Sequence, residues 1–124
     1  MNVIEQARQA YAPSQTAIRS ERSVEAQLIT QVTAALRKAA AEKTTDFPAL
    51  ASALHRNCEM WATLAANVAD RDNELPATLR AQLFYLSEFT QVHTSRVLRR
   101  EADSEPLIDI NTAVLRGLNG RGNH

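Results

Sequence analysis

The chain has little of what stabilises disulfide-rich or β-sheet proteins. Among its 124 residues there is one cysteine, Cys58, so no disulfide can form within the chain, and a reducing compartment is expected. Only three glycines and four prolines are present, and aromatic residues make up 5% of the chain. Because strands favour aromatic residues and tight turns favour glycine and proline, this composition argues against a β-sheet protein.

Neither charge sign predominates, and long hydrophobic runs are lacking. Lys+Arg and Asp+Glu both total 14, so the net charge is zero and gives no global attraction to nucleic acid or to an anionic membrane. No apolar run approaches the roughly 18 residues of a membrane-spanning helix. The N-terminus has no basic leader followed by an apolar core. We therefore expect no membrane association and a location in the cytoplasm.

The residues that are present favour helices. The chain is 44% hydrophobic, and Ala and Leu, which are strong helix formers, are abundant. Apolar residues recur at spacings of three and four, which predicts helices over residues 20–42, 47–70, 76–101 and 105–118. The fold class is therefore all-α: a small bundle of four main helices in which neighbours run antiparallel, because the connections are short. We expect a single domain over residues 1–124, with a short N-terminal arm or helix over 1–19 and a frayed tail over 119–124.

Capping residues mark several helix ends. Asp46 is a candidate N-cap for the second helix, and Pro48 suits its first turn. Pro76 opens the third helix, and Pro106 suits the first position of the fourth, where its missing N–H costs nothing. Gly117 is a candidate for the end of the fourth helix.

The third predicted helix is apolar around most of its circumference. Its seam consists of Leu79, Leu83, Leu86, Thr90, His93 and Val97. A helix of this kind is usually surrounded, so we interpret it as the central helix. Any part that stays uncovered would be an exposed apolar patch, which indicates a partner. The candidate partner-binding residues are Leu83, Phe84, Tyr85, Phe89 and Val92.

One face of the fourth helix carries a single amide. Leu107, Asn111, Val114 and Leu118 share this face. A buried amide needs hydrogen-bond partners, so the helix is predicted to pack in one defined place. Trp61, the only tryptophan, is either a core residue or a binding anchor, and we interpret it as core.

Candidates for catalysis or metal binding are few. His55 and Cys58 are three residues apart on one helix and could touch one metal ion, but no second pair supplies the remaining ligands of a zinc site. The simpler interpretation places Cys58 in the core and His55 at its edge. His93 is either a base or pH switch, or a core-edge histidine bonded to a neighbouring helix, and we favour the second. No phosphate loop or nucleophile elbow is present, so we expect neither an enzyme nor a cofactor.

Several short motifs resemble those of one protein family. They are an N-terminal Tyr before a Thr/Arg/Glu-rich stretch, a Trp in the second helix, an Asn-x-Leu-Pro turn before Leu-Arg, a His-Thr pair before Val-Leu, and a Leu-Ile-Asp-Ile-Asn run. The residues are Tyr11, Trp61, Asn73, Leu75, Pro76, Arg80, His93, Thr94, Leu107, Ile108, Asp109, Ile110 and Asn111. This pattern, over about residues 11–118, resembles the FlaF family of flagellar biosynthesis proteins, known from alphaproteobacteria.

The resemblance implies a non-enzymatic flagellar assembly factor. Such a protein binds flagellin in the cytoplasm as a type III secretion chaperone, supports flagellin synthesis and filament assembly, and acts beside the regulator FlbT. The alternative is a post-transcriptional regulator of flagellin expression that acts through FlbT or through mRNA. Direct contact with mRNA would involve Arg96, Arg99 and Arg100, although these cations also suit the negative end of a helix. Formation of a homo-oligomer is left open.

Overall fold

The computed structural model describes residues 25–70 and 75–122 of the chain. It contains four α-helices, which are α1 (25–41), α2 (Phe47–Ala69), α3 (Ala77–Leu98) and α4 (Glu105–Gly122). Within these two stretches no strand occurs, and the predicted all-α bundle is confirmed. The predictions for the arm at 1–19, for the start of the first helix and for Tyr11 and Asn73 fall outside the described residues.

The start of α2 follows the prediction from its capping residues. The Asp46 carboxylate accepts a hydrogen bond of 3.1 Å from the N–H of Ala49, and Pro48 lies in the first turn. An N-cap carboxylate satisfies one of the N–H groups that the first turn leaves without an intrahelical partner. The helix begins at Phe47 as predicted.

The end of α3 differs from the prediction. The helix stops at Leu98, before residue 101, in a Schellman motif in which the N–H of Arg100 donates to Val97 O and the N–H of Glu101 donates to Arg96 O, both at 2.9 Å. The motif places Arg100 in the left-handed region with a φ of 62°. Because no glycine marks this turn, the sequence pattern does not indicate it.

The fourth helix starts at residue 105 as predicted, but the position of Pro106 in its first turn and its end differ from the prediction. It begins at Glu105, whose N–H donates to the Asp103 carboxylate at 3.1 Å, so Pro106 is its second residue rather than its first. The second position also lacks an intrahelical N–H partner, and the proline is tolerated there. The helix then continues through Gly117 to Gly122, so most of the expected frayed tail has helical backbone.

The expectation that α3 is the surrounded, central helix is wrong. Among the residues whose burial is described, α2 contributes the most buried ones, which are Leu50, Ala53, Leu54, Asn57, Met60, Trp61 and Val68. The buried residues of α3 are Ser87, Thr90, His93, Thr94 and Val97, and four of these five are polar. Tyr85 and Val92 of α3 point outward and are 66% and 65% exposed. Apolar content around a helix does not tell which residues the neighbours cover, and here small polar side chains face α2.

The core consists of two apolar clusters. The first consists of Leu36, Ala39, Leu50, Ala53, Leu54, Val97, Leu107 and Ile108. The second consists of Ile29, Val32, Met60 and Trp61, with half-buried neighbours that include Leu83 and Ile110. The first cluster joins the end of α1 to the start of α2, whereas the second joins earlier residues of α1 to later residues of α2. The two helices are therefore antiparallel, as predicted. Among the described helices, none combines the length and hydropathy that crossing a membrane requires.

Candidate functional site

Three fully buried polar side chains come from three different helices. Asn57 of α2, Thr90 of α3 and Asn111 of α4 are each 0% exposed. We call these three residues the polar layer. The amide that the sequence places on the inner face of α4 is thus confirmed as buried, and it has the partners that burial demands.

Trp61 and the polar layer connect α2 to α4. The indole N–H of Trp61 donates to Asn111 Oδ1 at 2.9 Å, and Asn111 Nδ2 donates to Asn57 Oδ1 at 2.8 Å. The ring of Trp61 is fully buried, which confirms its interpretation as a core residue. Because both bonds depend on one amide, they fix the rotation and the axial position of α4 against α2.

A second set of hydrogen bonds connects α2 to α3. Ser87 Oγ donates to Trp61 O at 3.3 Å, and Gln91 Nε2 donates to Cys58 O at 3.2 Å. The Cys58 thiol donates to Thr94 Oγ1 at 3.2 Å. Since higher numbers on α2 pair with lower numbers on α3, the two helices are antiparallel, as predicted.

Two buried polar atoms of the layer have no hydrogen-bond partner among the described residues. They are Nδ2 of Asn57 and Oγ1 of Thr90. An unsatisfied buried donor or acceptor costs about 1–3 kcal/mol. The polar layer therefore lowers stability in part while it specifies how the helices pack.

The His93 side chain is held by a backbone carbonyl group and by an aromatic ring. Its Nε2 lies 2.7 Å from the carbonyl oxygen of Asp103, in the connection between α3 and α4, and its ring stacks on Phe89 with centroids 5.3 Å apart. Because a carbonyl oxygen only accepts hydrogen bonds, Nε2 carries the proton. The predicted core-edge histidine is confirmed, but its partner is in the connection rather than in a helix.

His55 and Cys58 have separate partners. His55 is exposed and lies 2.9 Å from the carboxylate of Glu59, whereas Cys58 is half-buried and bonds to Thr94. The expected position of His55 at the core edge is therefore wrong, since its side chain extends into solvent. In the part of the chain that the structure describes, no three His, Cys, Asp or Glu side chains group as metal ligands do.

The motif residues lie mostly inside the protein. Trp61, His93, Thr94, Leu107, Ile108 and Asn111 are buried, and Leu75, Arg80 and Ile110 are half-buried. Pro76 and Asp109 are exposed. Since two of the motif residues, Trp61 and Asn111, bond directly to each other, the motif is first of all a signature of how α2, α3 and α4 pack.

Apolar side chains are exposed on the outer side of α3. Tyr85 and Val92 are 66% and 65% exposed, and Phe84 and Leu98 are 39% and 41% exposed. We call these four residues the α3 outer face. Of the five predicted partner-binding residues, Phe84, Tyr85 and Val92 belong to it. Leu83 packs against the second cluster and Phe89 against the first, so both are less accessible.

The α3 outer face has a regular arrangement. Tyr85 and Val92 are seven residues apart, which is nearly two helical turns, so they lie on one line along the helix. Phe84 and Leu98 lie on a second line. A strip of exposed small and polar residues runs between the two lines, and these are Ala81, Glu88 and Ser95. The surface thus offers two lines of exposed apolar side chains, the second interrupted by Gln91, and an amphipathic helix could lie along the strip between them.

The arginines at the end of α3 do not share one environment. Arg99 lies 3.5 Å from the Glu101 carboxylate, and both side chains are more than half exposed. The Arg100 guanidinium lies over the Phe47 ring, 4.5 Å from its centroid. Arg96 lies in the last turn of α3, where a cation complements the negative helix end.

The fold and the surface define a class of protein. It is a small four-helix protein with a polar layer in its core and one helix whose apolar outer face is incompletely covered. The family model of the flagellar protein FlaF matches residues 7–118, and the chain belongs to this family. Searches of curated proteins and of solved structures give no match.

Proposed function

We propose that this protein binds flagellin in the cytoplasm as a secretion chaperone, without catalysing a reaction, and that the α3 outer face is the contact surface. Two observations support the proposal. The chain belongs to a flagellar protein family. The side chains of Tyr85 and Val92 are two-thirds exposed, so they leave apolar surface of α3 in contact with water unless a partner covers it.

The physical basis is the exposed apolar surface of the client, which is unassembled flagellin. The terminal segments of a flagellin subunit are amphipathic helices that pack only in the filament. Before export, the apolar faces of these segments would drive premature association. A helix laid along α3 could place apolar side chains against Phe84 and Tyr85 and against Val92 and Leu98 further along the helix. This contact would cover the client's apolar face until secretion.

The size of the contact suits a client that must be released. The α3 outer face has four apolar side chains, of which Phe84 and Leu98 are only about two-fifths exposed. Ordering a flexible client segment costs a few kcal/mol of the gross interaction free energy. The complex should therefore be of moderate affinity, which permits transfer to the export machinery.

The test uses purified protein and monomeric flagellin, both treated with nuclease. The double variant Tyr85→Ser, Val92→Ser removes the two most exposed apolar side chains of α3. We expect it to weaken the complex by at least about tenfold in titration calorimetry, since central aromatic contacts commonly contribute about 2 kcal/mol or more. Deletion of both flagellin termini should also abolish the complex.

A matched control is available on α1. Leu28 is 40% exposed, comparable with Phe84 and Leu98, but lies on a different helix. Leu28→Ser should leave the affinity for flagellin unchanged. Equal affinities for the wild type and the double variant would exclude the α3 outer face as the site. Equal affinities for intact and trimmed flagellin would exclude the flagellin termini as the bound segments.

The same preparations test the alternative of a post-transcriptional regulator. Direct action on RNA requires that the wild type shifts flagellin mRNA at physiological salt and that a triple variant with Arg96, Arg99 and Arg100 changed to Glu does not. Action through FlbT requires a complex with purified FlbT. Either result, without a flagellin complex, would replace the chaperone proposal.

A further inference from the structure

A cleft opens where the ends of all four helices meet. It lies beside the end of α1, the start of α2, the end of α3 and the start of α4, and its volume is ≈ 850 Å³. Leu50, Val97 and Ile108, which belong to the first apolar cluster, form part of its wall. This volume lies in the range of pockets that enclose a ligand.

Three cations line the cleft from three different segments. Arg37 comes from α1, Lys43 from the α1–α2 connection and Arg100 from the α3–α4 connection. Among the residues that the structure describes, none of the three forms an ion pair. Asp103 and Glu105 also line the cleft, and the Asp103 carboxylate is already bonded to the N–H of Glu105. The cleft thus carries three cations that form no ion pair with a described residue and two carboxylates, so cations outnumber carboxylates by one.

Arg100 reaches the cleft at a cost to its backbone. Its φ of 62° lies in the left-handed region, where a side chain costs roughly 1–2 kcal/mol and glycine is preferred. The guanidinium lies over the Phe47 ring, 4.5 Å from its centroid, and both residues line the cleft. The Schellman motif that ends α3 holds the backbone of Arg100 in this conformation.

The cleft is separate from the α3 outer face. Val97, which lines the cleft, lies on the buried side of α3 and is 4% exposed, whereas Val92 lies on the outer side. Five residues along an α-helix amount to a rotation of about 140°, so the two surfaces face different directions. A ligand in the cleft would leave the α3 outer face free.

We propose that the cleft binds an acidic peptide segment of a partner protein, with an apolar side chain against Leu50, Val97 and Ile108 and carboxylates toward Arg37, Lys43 and Arg100. The charge of the cleft favours a peptide over a simple organic acid. A peptide can place its carboxylates toward the cations and its backbone N–H donors toward Asp103 and Glu105, whereas a simple organic acid offers these two carboxylates no donor. This site is independent of flagellin binding by α3.

The test follows backbone amide chemical shifts of the full chain during titration with defined peptides at up to millimolar concentration. The probe is the acetylated and amidated peptide Glu-Leu-Glu-Leu-Glu, and the comparison peptide is Gln-Leu-Gln-Leu-Gln. We expect the acidic peptide to shift the residues that line the cleft, and the neutral one to bind at least about tenfold more weakly.

Two variants that each remove one positive charge distinguish binding in the cleft from a general effect of the protein's charge. Arg100→Gly removes the guanidinium from the cleft and suits the left-handed backbone, and the amide spectrum of the free variant checks that its fold is unchanged. Arg99→Gln removes one positive charge from the neighbouring position, which does not line the cleft. We expect the Kd of the acidic peptide to rise about tenfold in the first variant and to stay unchanged in the second.

Three results would overturn the proposal. They are the absence of shifts with the acidic peptide, equal binding of the two peptides, and equal effects of the two variants. Decanoate serves as a probe for a simple organic acid. Shifts of the cleft residues with decanoate, without shifts by the peptide, would identify a small-carboxylate site instead.

Discussion

Trp61 and Asn111 are 50 residues apart in the sequence and joined by a hydrogen bond of 2.9 Å in the core, and no polar atom of the pair contacts water. Asn111 also bonds to Asn57 at 2.8 Å. A leucine at position 111 would fill similar space but would leave the indole N–H without an acceptor. The pair therefore explains why an aliphatic helix face carries one amide.

The first prediction separates the ring of Trp61 from its N–H. Trp61→Phe keeps most of the apolar volume but leaves Asn111 Oδ1 without its donor, and should lower the free energy of unfolding by about 1–3 kcal/mol. Trp61→Ala also creates a cavity and should cost about 3–5 kcal/mol. Urea denaturation measures both. No loss in Trp61→Phe would show that the hydrogen bond contributes nothing, and equal losses in the two variants would show that the ring volume contributes nothing beyond it.

The second prediction concerns coupling between Asn57 and Asn111. Each single change to Leu leaves the other amide without its hydrogen-bond partner, while the double change removes both amides. Asn57→Leu also removes the unsatisfied Nδ2 atom. The loss in the double variant should be smaller than the sum of the single losses by about 0.5–3 kcal/mol in a double-mutant cycle. Additive losses would contradict the direct bond between the two amides.

The third prediction tests the strain at Arg100. At a φ of 62°, the backbone conformation costs Ala more free energy than Gly. Arg100→Gly should therefore be about 1 kcal/mol more stable than Arg100→Ala. Arg99, with a φ of −83°, is the matched control, and there Gly should be less stable than Ala. Thermal unfolding of the four variants measures the difference. The same order at both positions would argue against a left-handed Arg100.

The fourth prediction compares two valines of α3. Val97 is 4% exposed and Val92 is 65% exposed. Val97→Ala should lower the free energy of unfolding by about 1–3 kcal/mol, because it leaves space in the first cluster. Val92→Ala should change it by less than about 0.5 kcal/mol. Similar losses would mean that another part of the protein covers Val92.

The fifth prediction concerns the start of α2. Asp46→Ala removes the hydrogen bond to Ala49 N–H and should cost about 1 kcal/mol. Asp46→Asn keeps an acceptor oxygen and should cost only a few tenths. Chemical denaturation of both variants, compared with the wild type, distinguishes the cap from an effect of charge alone. An equal loss in both variants would indicate that the charge, and not the cap, stabilises the helix.

Local patterns in the sequence predict much of the fold. Asp46 and Pro48 set the start of α2, since capping involves only residues within one turn. The period of the apolar residues predicts four helices, because periodicity reports which residues can share a face. The sequence pattern does not predict the end of α3, because the left-handed residue there is Arg100 and not the glycine that usually marks such an end.

The candidate site is less predictable than the fold. Five apolar residues of the third helix are predicted to bind a partner, but Leu83 and Phe89 pack against the core. Which side of a helix is covered depends on its neighbours, and their positions do not follow from one helix alone. The cleft with Arg37, Lys43 and Arg100 gives no local signal, because its residues come from segments far apart in the chain.

The amino-acid order alone determined the helical class, most helix boundaries and the presence of one amide on an aliphatic face, since each depends on residues close in the chain. The tertiary structure decided that this amide meets Trp61, that α2 rather than α3 is buried most, and that Arg100 lies at a cleft. These features depend on how helices approach one another, which is set by packing and hydrogen bonding between distant segments rather than by local propensity.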